Sequence, residues 1–370
     1  MFDTNHYVPI LRWKQAEKFA LHRVRSDVKG RMTPIIEITP KSFLPKKPSK
    51  AGEDNSVTES LLVAQPAPDP GSVLRRQAKE VLRFWGNSPF FLELGHLEGA
   101  IPAINGSTHA LTYFAELGRS YRLKVVPVTA LDRSAKYKAA VAAAMRTDGN
   151  GLCLRVGPSE LLDEIFPRRV EESLNEIGAT AATSDLLLDY GVFNPAAPRI
   201  ADLLSRVPQL KSWRSLIVAQ GAFPKDLQEF KPGTHKIVRS DWKTWNNELR
   251  NRGRLRWPSF SDYTIQYGRY VEPVENANPS ASIRYTLAEE WLIMRGEGIL
   301  NEEGPGRAQW NANAILLTER DEFFGEDFSD GDTYIAEMSR KQKEHGSAMT
   351  WIRAGLNHHM SVVLRQISAL

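Results

Sequence analysis

An α/β fold of the closed (β/α)8 barrel type is predicted by three observations. Short apolar, β-branched runs recur along the chain, almost every run is followed by a segment of helical period, and both counts reach eight. An open doubly wound sheet is the rival arrangement, because strand count does not establish closure. Such a sheet normally carries a glycine-rich first turn for a nucleotide. Here the first turn reads RWKQAE, and neither GxGxxG nor GxxxxGK[ST] occurs, which favours the barrel.

In chain order, the predicted strands are Tyr7–Trp13, Pro34–Ile38, Phe90–Leu94, Lys124–Thr129, Leu152–Val156, Leu186–Tyr190, Leu216–Gln220 and Tyr263–Tyr267. Each is a run of apolar and branched residues of strand length. Helical periodicity places helices at Gln15–Lys29, Val73–Phe84, Thr108–Tyr121, Ala135–Arg146, Ser159–Ile177, Pro198–Val207 and Asp241–Arg250, with Arg307–Thr318 as the last barrel helix. Two strand-to-strand intervals exceed what a βαβ unit needs. The first holds Pro40–Gly71, where PKKPSK and PAPDPG with few large apolar residues predict a flexible loop. The second, Gln220–Asp262, carries a segment rich in tryptophan and arginine. Ser282–Thr286 and Glu290–Arg295 read as a β-hairpin, and the tail Asp330–Leu370 as a strand followed by one or two helices. The expected organisation is one barrel domain over residues 1–370, with 40–71 as an inserted loop and 282–370 carrying the hairpin, the last barrel helix and a C-terminal extension.

The chain has 370 residues, 42% hydrophobic and 25% charged, enough apolar material for a large core, which excludes disorder throughout. Its single cysteine, Cys153, excludes an intramolecular disulfide framework and a cysteine-rich zinc site, and fits a reducing compartment. No run reaches the length of a membrane span, and the N-terminus lacks a secretory apolar stretch, so a soluble cytoplasmic protein is expected. A net charge of +4 permits contact with polyanions without requiring it.

In barrels the reactive groups stand at the C-terminal ends of strands. Polar residues late in apolar strands are therefore informative: Arg12 and Lys14 after VPIL, Glu37 in PIIEIT, Glu93 in FFLEL, Arg155 in LCLRV, Asp189 in LLLDY, Gln220 in LIVAQ, and Gln266 with Tyr267 in YTIQYG. Because side chains alternate faces, Ile35 with Glu37, Phe91 with Glu93, Cys153 with Arg155, and Leu187 with Asp189 each share a face. Turned inward, they bring three carboxylates and two or three cations to one mouth. Such a ring is either an interior salt-bridge network or a ligand site. Cys153 reads as interior filling rather than a nucleophile.

The tail SAMTWIRAGLNHHMSVVLRQISAL sets His358 and His359 in a helical pattern, about 100° apart, so both cannot serve one site. They lack the spacing of zinc ligands. His96, beyond the third strand, is either a solvated loop residue or a histidine that reaches the mouth. In WKTWNNELRNRGRLRW, Trp242, Trp245, Arg250, Arg252, Arg254, Arg256 and Trp257 interleave cations with rings, as single-stranded nucleic acid binding does. Alternate arginines on an extended, acid-paired loop give the same pattern.

Taken in order, YVPILRWKQAE, TPIIEI, SDYTIQYGRY, ASIRYTLAEEWLIMRG and TWIRAGLNHH resemble the phage-associated beta protein family, which is also encoded in bacterial chromosomes and mobile elements. The resemblance spans nearly the whole chain. It implies a single-domain protein of this length in a setting of phage–host conflict, such as antiviral defence, and carries no established reaction. By that pattern Lys14, Glu37, Tyr285, Trp351, Arg353, Asn357, His358 and His359 are the signature positions, and the proline-rich loop is an addition to it.

Three functions fit. In the first, the mouth hydrolyses a phosphate ester, phosphodiester or nucleotide. Lys14, Arg155 and Arg284 bind the phosphate, Glu37, Glu93 and Asp189 act as base, Glu37 and Asp189 hold Mg2+ or Mn2+, and a tail histidine protonates the leaving group. Gln220, Tyr267, Tyr285, Arg353 and Asn357 complete the substrate contacts. In the second, the protein is a non-catalytic recognition module for a phage or host protein or for nucleic acid, the latter through Arg252, Arg254, Arg256 and Trp257. The third, glycoside cleavage by Glu37 and Glu93, sits poorly with the neighbouring cations. No membrane partner is expected.

Overall fold

The computed structural model describes residues 5–45, 66–249, 256–272 and 278–370. In chain order the elements are β1 Ile10–Leu11, α1 Gln15–His22, α2 Ser26–Lys29, β2 Ile35–Glu37, α3 Pro70–Phe84, β3 Phe90–Glu93, α4 Ala110–Ser120, β4 Val125–Thr129, α5 Ala135–Asp148, β5 Leu152–Val156, α6 Pro158–Leu162, α7 Phe166–Ile177, β6 Ser184–Val192, α8 Ile200–Leu203, β7 Ser215–Gly221, β8 Gly233–Val238, α9 Ser240–Thr244, β9 Ser259–Ser261, β10 Ile283–Thr286, β11 Glu290–Arg295, α10 Ala308–Thr318, α11 Asp330–Ser339 and α12 Ala348–Ser368.

Eight strands, β1 to β7 and β9, form one parallel sheet in sequence order. The sheet closes on itself: the Val8 amide donates to the Phe260 carbonyl and the Ile10 amide to the Asp262 carbonyl, each at 2.9 Å. The predicted (β/α)8 barrel is the observed fold. Alternation then sorts the side chains. Val8, Ile10, Ile35, Phe91, Val126, Val128, Cys153, Leu187, Ile217 and Ala219 fill the interior, while Leu11, Ile36, Leu92, Leu154, Leu186, Leu188 and Val218 meet the helices outside. Cys153 is interior filling, as expected, and burial pushes its thiol well up.

The closing strand departs from expectation. It is Ser259–Ser261 rather than Tyr263–Tyr267, which follows it as turn. Two serines flank Phe260, so no apolar run marks the strand, and the Ser261 hydroxyl donates to the Val8 carbonyl at 2.5 Å across the seam. Thr264, at φ +59°, ends the extended backbone.

The eighth barrel helix is also displaced in sequence. It is α12, not Arg307–Thr318. Leu356, Met360, Val363, Leu364 and Ile367 of α12 belong to the main core, each stabilising by on the order of 2 kcal/mol relative to exposure. α10 instead buries Trp310, Ala314 and Leu317 in a second core with the hairpin and the first turns of α12. The tail holds two helices, α11 and α12, and the described residues there include no strand. The hairpin β10–β11 forms as predicted, and β8 adds to it as a third antiparallel strand.

Pro40–Phe43 forms a 3-10 turn with Phe43 buried, and Pro70 and Gly71 open α3. The rest of the expected proline-rich loop, 46–65, lies outside the described residues. No helix among the described residues is long and apolar enough to cross a membrane.

Candidate functional site at the barrel mouth

The inward faces of β2, β3, β5 and β6 each end in an ionisable group, and the register Glu37 beside Glu93 brings these to one level. Arg155 is the hub. Its Nη1 donates to Glu37 Oε1 at 2.7 Å and Glu93 Oε2 at 3.3 Å, its Nε to Asp189 Oδ2 at 2.8 Å, and its Nη2 to the Tyr263 hydroxyl at 3.0 Å. Tyr263 in turn donates to Asp189 Oδ2 at 2.6 Å. Arg133 reaches Glu93 at 3.2 Å, while Arg12 Nε and His96 Nε2 approach Glu37 Oε2 at 4.0 and 3.8 Å. Three carboxylates thus face three guanidiniums and an imidazole. Burial alone raises the Glu37 carboxyl, but Arg155 and His96 overcome it and hold the group at about 2. Arg155 stays charged well above neutral pH, its burial outweighed by Asp189, Tyr263 and the two glutamates. Glu37, Glu93, Arg155 and Asp189 are therefore brought together as the strand alternation requires, in a network that neutralises itself.

Beside this ring a cavity of about 660 Å3 opens between the C-terminal ends of β1 and β2, α1, α3 and α12. Arg12, Lys14, Lys41, Arg76 and Arg284 line it. Of these, Lys14, Lys41, Arg76 and Arg284 have no ion-pair partner among the described residues. The acids on its wall are already engaged: Glu17 accepts from the Arg12 and Lys14 amides at 3.1 and 2.7 Å and from Gln266, and Glu80 pairs at 2.6 Å with Lys18, a sixth cation of the lining. Burial lowers the Lys14 amine and brings the Arg284 guanidinium down to about 10. Arg284 lies over the Phe223 ring and donates to the Ile265 carbonyl at 2.9 Å. A cleft that is partly dry and carries an excess of positive charge among the described residues is chemically suited to an anion. Arg12 joins the two features, lining the cleft while touching Glu37 and donating to the Tyr267 carbonyl at 2.5 Å.

A larger cavity, about 830 Å3, opens at the other end of the barrel and is lined by Lys29, Arg31 and Lys124. It adjoins the Asp185–Arg214 pair and lies at the strand N-termini, the end that serves stability in this fold.

Several expected site residues lie away from the mouth. His358 and His359 are fully buried, packed between α12, α11 and the hairpin. His358 Nε2 donates to the Thr286 carbonyl at 2.8 Å, and its Nδ1 meets Asp332 Oδ2 at 2.8 Å. His359 bonds the Thr286 hydroxyl at 3.0 Å and Asp262 at 2.9 Å, and burial lowers its imidazole below the usual range. Neither imidazole reaches a ligand, because a hairpin strand covers both. Tyr285 stacks on His358 at 3.8 Å and donates to Asp332 at 2.7 Å. Asn357 is buried too, accepting from the Gly331 amide at 2.9 Å and donating to the Ala20 carbonyl at 3.0 Å. Arg353 is half-buried over the Tyr334 ring. Gln220 is buried on the outer face of β7, where Ala219 takes the inward position.

Arg252 and Arg254 lie outside the described residues. Arg256 donates to the Arg214 carbonyl at 3.0 Å and to that of Trp213, clamping the approach to β7 at the N-terminal end, so it is not displayed as a nucleic-acid contact. Trp257 is exposed. The residues expected to hold Mg2+ or Mn2+, Glu37 and Asp189, already coordinate the Arg155 guanidinium, and no group of three His, Cys, Asp or Glu among the described residues is arranged to hold a metal. As arranged, they do not fit a divalent ion.

Sequence reasoning passed over Trp13, Lys41, Arg76, Arg133 and Tyr263. Arg133 follows the end of β4, and that position was a usable signal. Lys41 and Arg76 come from a turn and a helix surface, where nothing distinguishes them from solvated charges.

No curated protein matches this chain. Among solved structures, a tryptophan synthase structure from Pyrococcus furiosus is similar at 12% identity, covering 72% of this chain and 90% of that one, with a TM-score of 0.35. The model of the Beta protein family matches residues 7–365, nearly the whole chain, and the protein belongs to that family.

Proposed function

We propose that the barrel mouth binds a small phosphate-bearing ligand and hydrolyses its phosphate ester, within the phage–host setting that the family resemblance implies. The observation that carries this reading is the cleft: Arg12, Lys14, Lys41, Arg76 and Arg284 line one cavity, and its acids, Glu17 and Glu80, are taken up by backbone amides and by Lys18. Phosphate oxygens are the ligand such a set of cations recognises. His96 is the acid–base group. It is about one third exposed, and it meets the same Glu37 oxygen that Arg12 approaches from the cleft. An imidazole is the side chain best suited to move protons near neutrality. Glu37, held at about 2, is too weak a base for that task and serves to orient Arg12 and His96.

The self-neutralised ring favours one second reading, a recognition protein that binds the same ligand without turnover. Calorimetric titration with inorganic phosphate and a phosphatase assay with p-nitrophenyl phosphate, with and without magnesium or manganese, separate the two. Lys14→Ala is expected to weaken phosphate binding about tenfold or more. His96→Ala is expected to abolish turnover while binding persists. Binding without turnover leaves the recognition reading. Phosphate binding unchanged in Lys14→Ala removes the cleft from both.

A further inference from the structure

The cleft has two unlike kinds of lining. Its cations come from the segment after β1, the turn after β2, α3 and β10. Its apolar lining is a stripe of α12, with Met349, Ile352 and Leu356 at helical spacing on one face. Met349 is 40% exposed although it sits in the first turn of a helix whose remaining apolar residues are mostly buried. Trp13, also in the lining, adopts φ +52°, a left-handed conformation that a bulky aromatic rarely takes. Its indole Nε1 and the Nε of Arg12 are buried donors without an acceptor within hydrogen-bond distance among the described residues. Backbone strain and unsatisfied donors coincide at this point of the cavity lining, and features of this kind cluster at ligand sites.

A bare phosphate has no use for the apolar stripe, and a volume near 660 Å3 lies within the range of pockets that enclose organic ligands. Four cations without an ion-pair partner among the described residues, Lys14, Lys41, Arg76 and Arg284, exceed what a single carboxylate requires. Methionine beside aliphatic side chains makes a polarizable surface that receives the face of a planar ring. Resting on the phosphate-binding reading above, we infer that the ligand is a nucleoside phosphate: its phosphates lie on Lys14, Lys41 and Arg76, and its base lies flat on Met349 and Ile352.

The test is calorimetric titration of the full chain with AMP, ADP, ribose 5-phosphate and inorganic phosphate. AMP is expected to bind about tenfold tighter than ribose 5-phosphate, because the base adds buried apolar area. Met349→Ser, an exposed position whose thermal melt is expected to match the parent, removes most of that advantage and leaves ribose 5-phosphate binding unchanged. Equal affinities for AMP and ribose 5-phosphate, or an equal effect of Met349→Ser on both, overturn the nucleoside assignment while the phosphate site stands. Failure of all four probes to bind overturns the phosphate-binding reading itself.

Discussion

At the scale of the residue, Arg155 shows how a charge fills a barrel. One guanidinium satisfies Glu37, Glu93 and Asp189 through a planar fork of donors, a task for which a lysine lacks both the reach and the donor count. Arg155→Met is therefore expected to cost about 3–5 kcal/mol at neutral pH, because it strands like charges against one another in the interior. The pH dependence has a definite sign. Burial raises the Glu37 carboxyl and Arg155 is the largest effect holding it down, so without the guanidinium its folded value rises and the variant recovers stability relative to the parent as pH falls. Urea denaturation across the acid range reads this directly, and a variant as stable as the parent at pH 7 contradicts it. Asp241 offers a second case within the native chain. Burial and the neighbouring Asp262 push its carboxyl up to about 7 against the pull of Arg239. A carboxyl raised in the folded state favours folding below its unfolded value near 3.8, and that advantage fades as pH rises to about 7. Asp241→Asn removes the titration, so its stability deficit relative to the parent shrinks between these limits. Thermal melts of both chains over that range test it, and a constant deficit contradicts the raised carboxyl.

At the scale of the element, α12 has to serve three neighbours: α1, α11 and the hairpin. Small residues make this packing close. A Cβ at Gly331 overlaps the Ala354 carbonyl, and one at Gly355 stands 2.7 Å from the Arg284 carbonyl. Gly331→Ala is expected to push α11 off α12 and lower stability by about 1–3 kcal/mol, an overpacking cost that a thermal melt measures. A shift within experimental error means the helices slide freely. The same helix shows what the sequence could and could not reveal. Strands β2 to β7 were legible because branched apolar runs stand between helices, and the inward set of Glu37, Glu93, Arg155 and Asp189 followed from alternation alone. The closing strand was missed because its partners supply the apolar surface and its own serines need only hydrogen bonds. The last barrel helix was misassigned because α10 is the first apolar helix after the closing strand, and only the tertiary arrangement shows that α12, further along the chain, is the one that meets α1. The cleft was half legible: Lys14 and Arg284 were identified, but Lys41 and Arg76 are drawn in from a turn and a helix face by folding.

At the scale of the whole molecule, two hydrophobic cores share one helix, since α12 buries Trp351 and Ala354 in the smaller core and Leu356 through Ile367 in the larger. Polar groups tie the same joint. Tyr7 donates to Asp262, Asp262 bonds His359, the Thr286 side chain and carbonyl take His359 and His358, and His358 meets Asp332. All of these are buried, so breaking one link strands its partner away from water. The barrel and its cap are thus expected to unfold together. Two sets of tryptophans report on the two parts: Trp242 and Trp245 pack on Phe260 in the barrel, and Trp310 stacks with Trp351 in the cap. The fluorescence lost on removing either pair, read as the difference from the parent because five other tryptophans remain, should follow one urea transition that coincides with far-UV circular dichroism. His359→Ala, which leaves the Asp262 Oδ2 oxygen buried without its imidazole partner, should move both transitions by the same amount, about 1–3 kcal/mol. A cap transition that shifts while the barrel transition stays in place shows that the helix does not transmit stability between the cores.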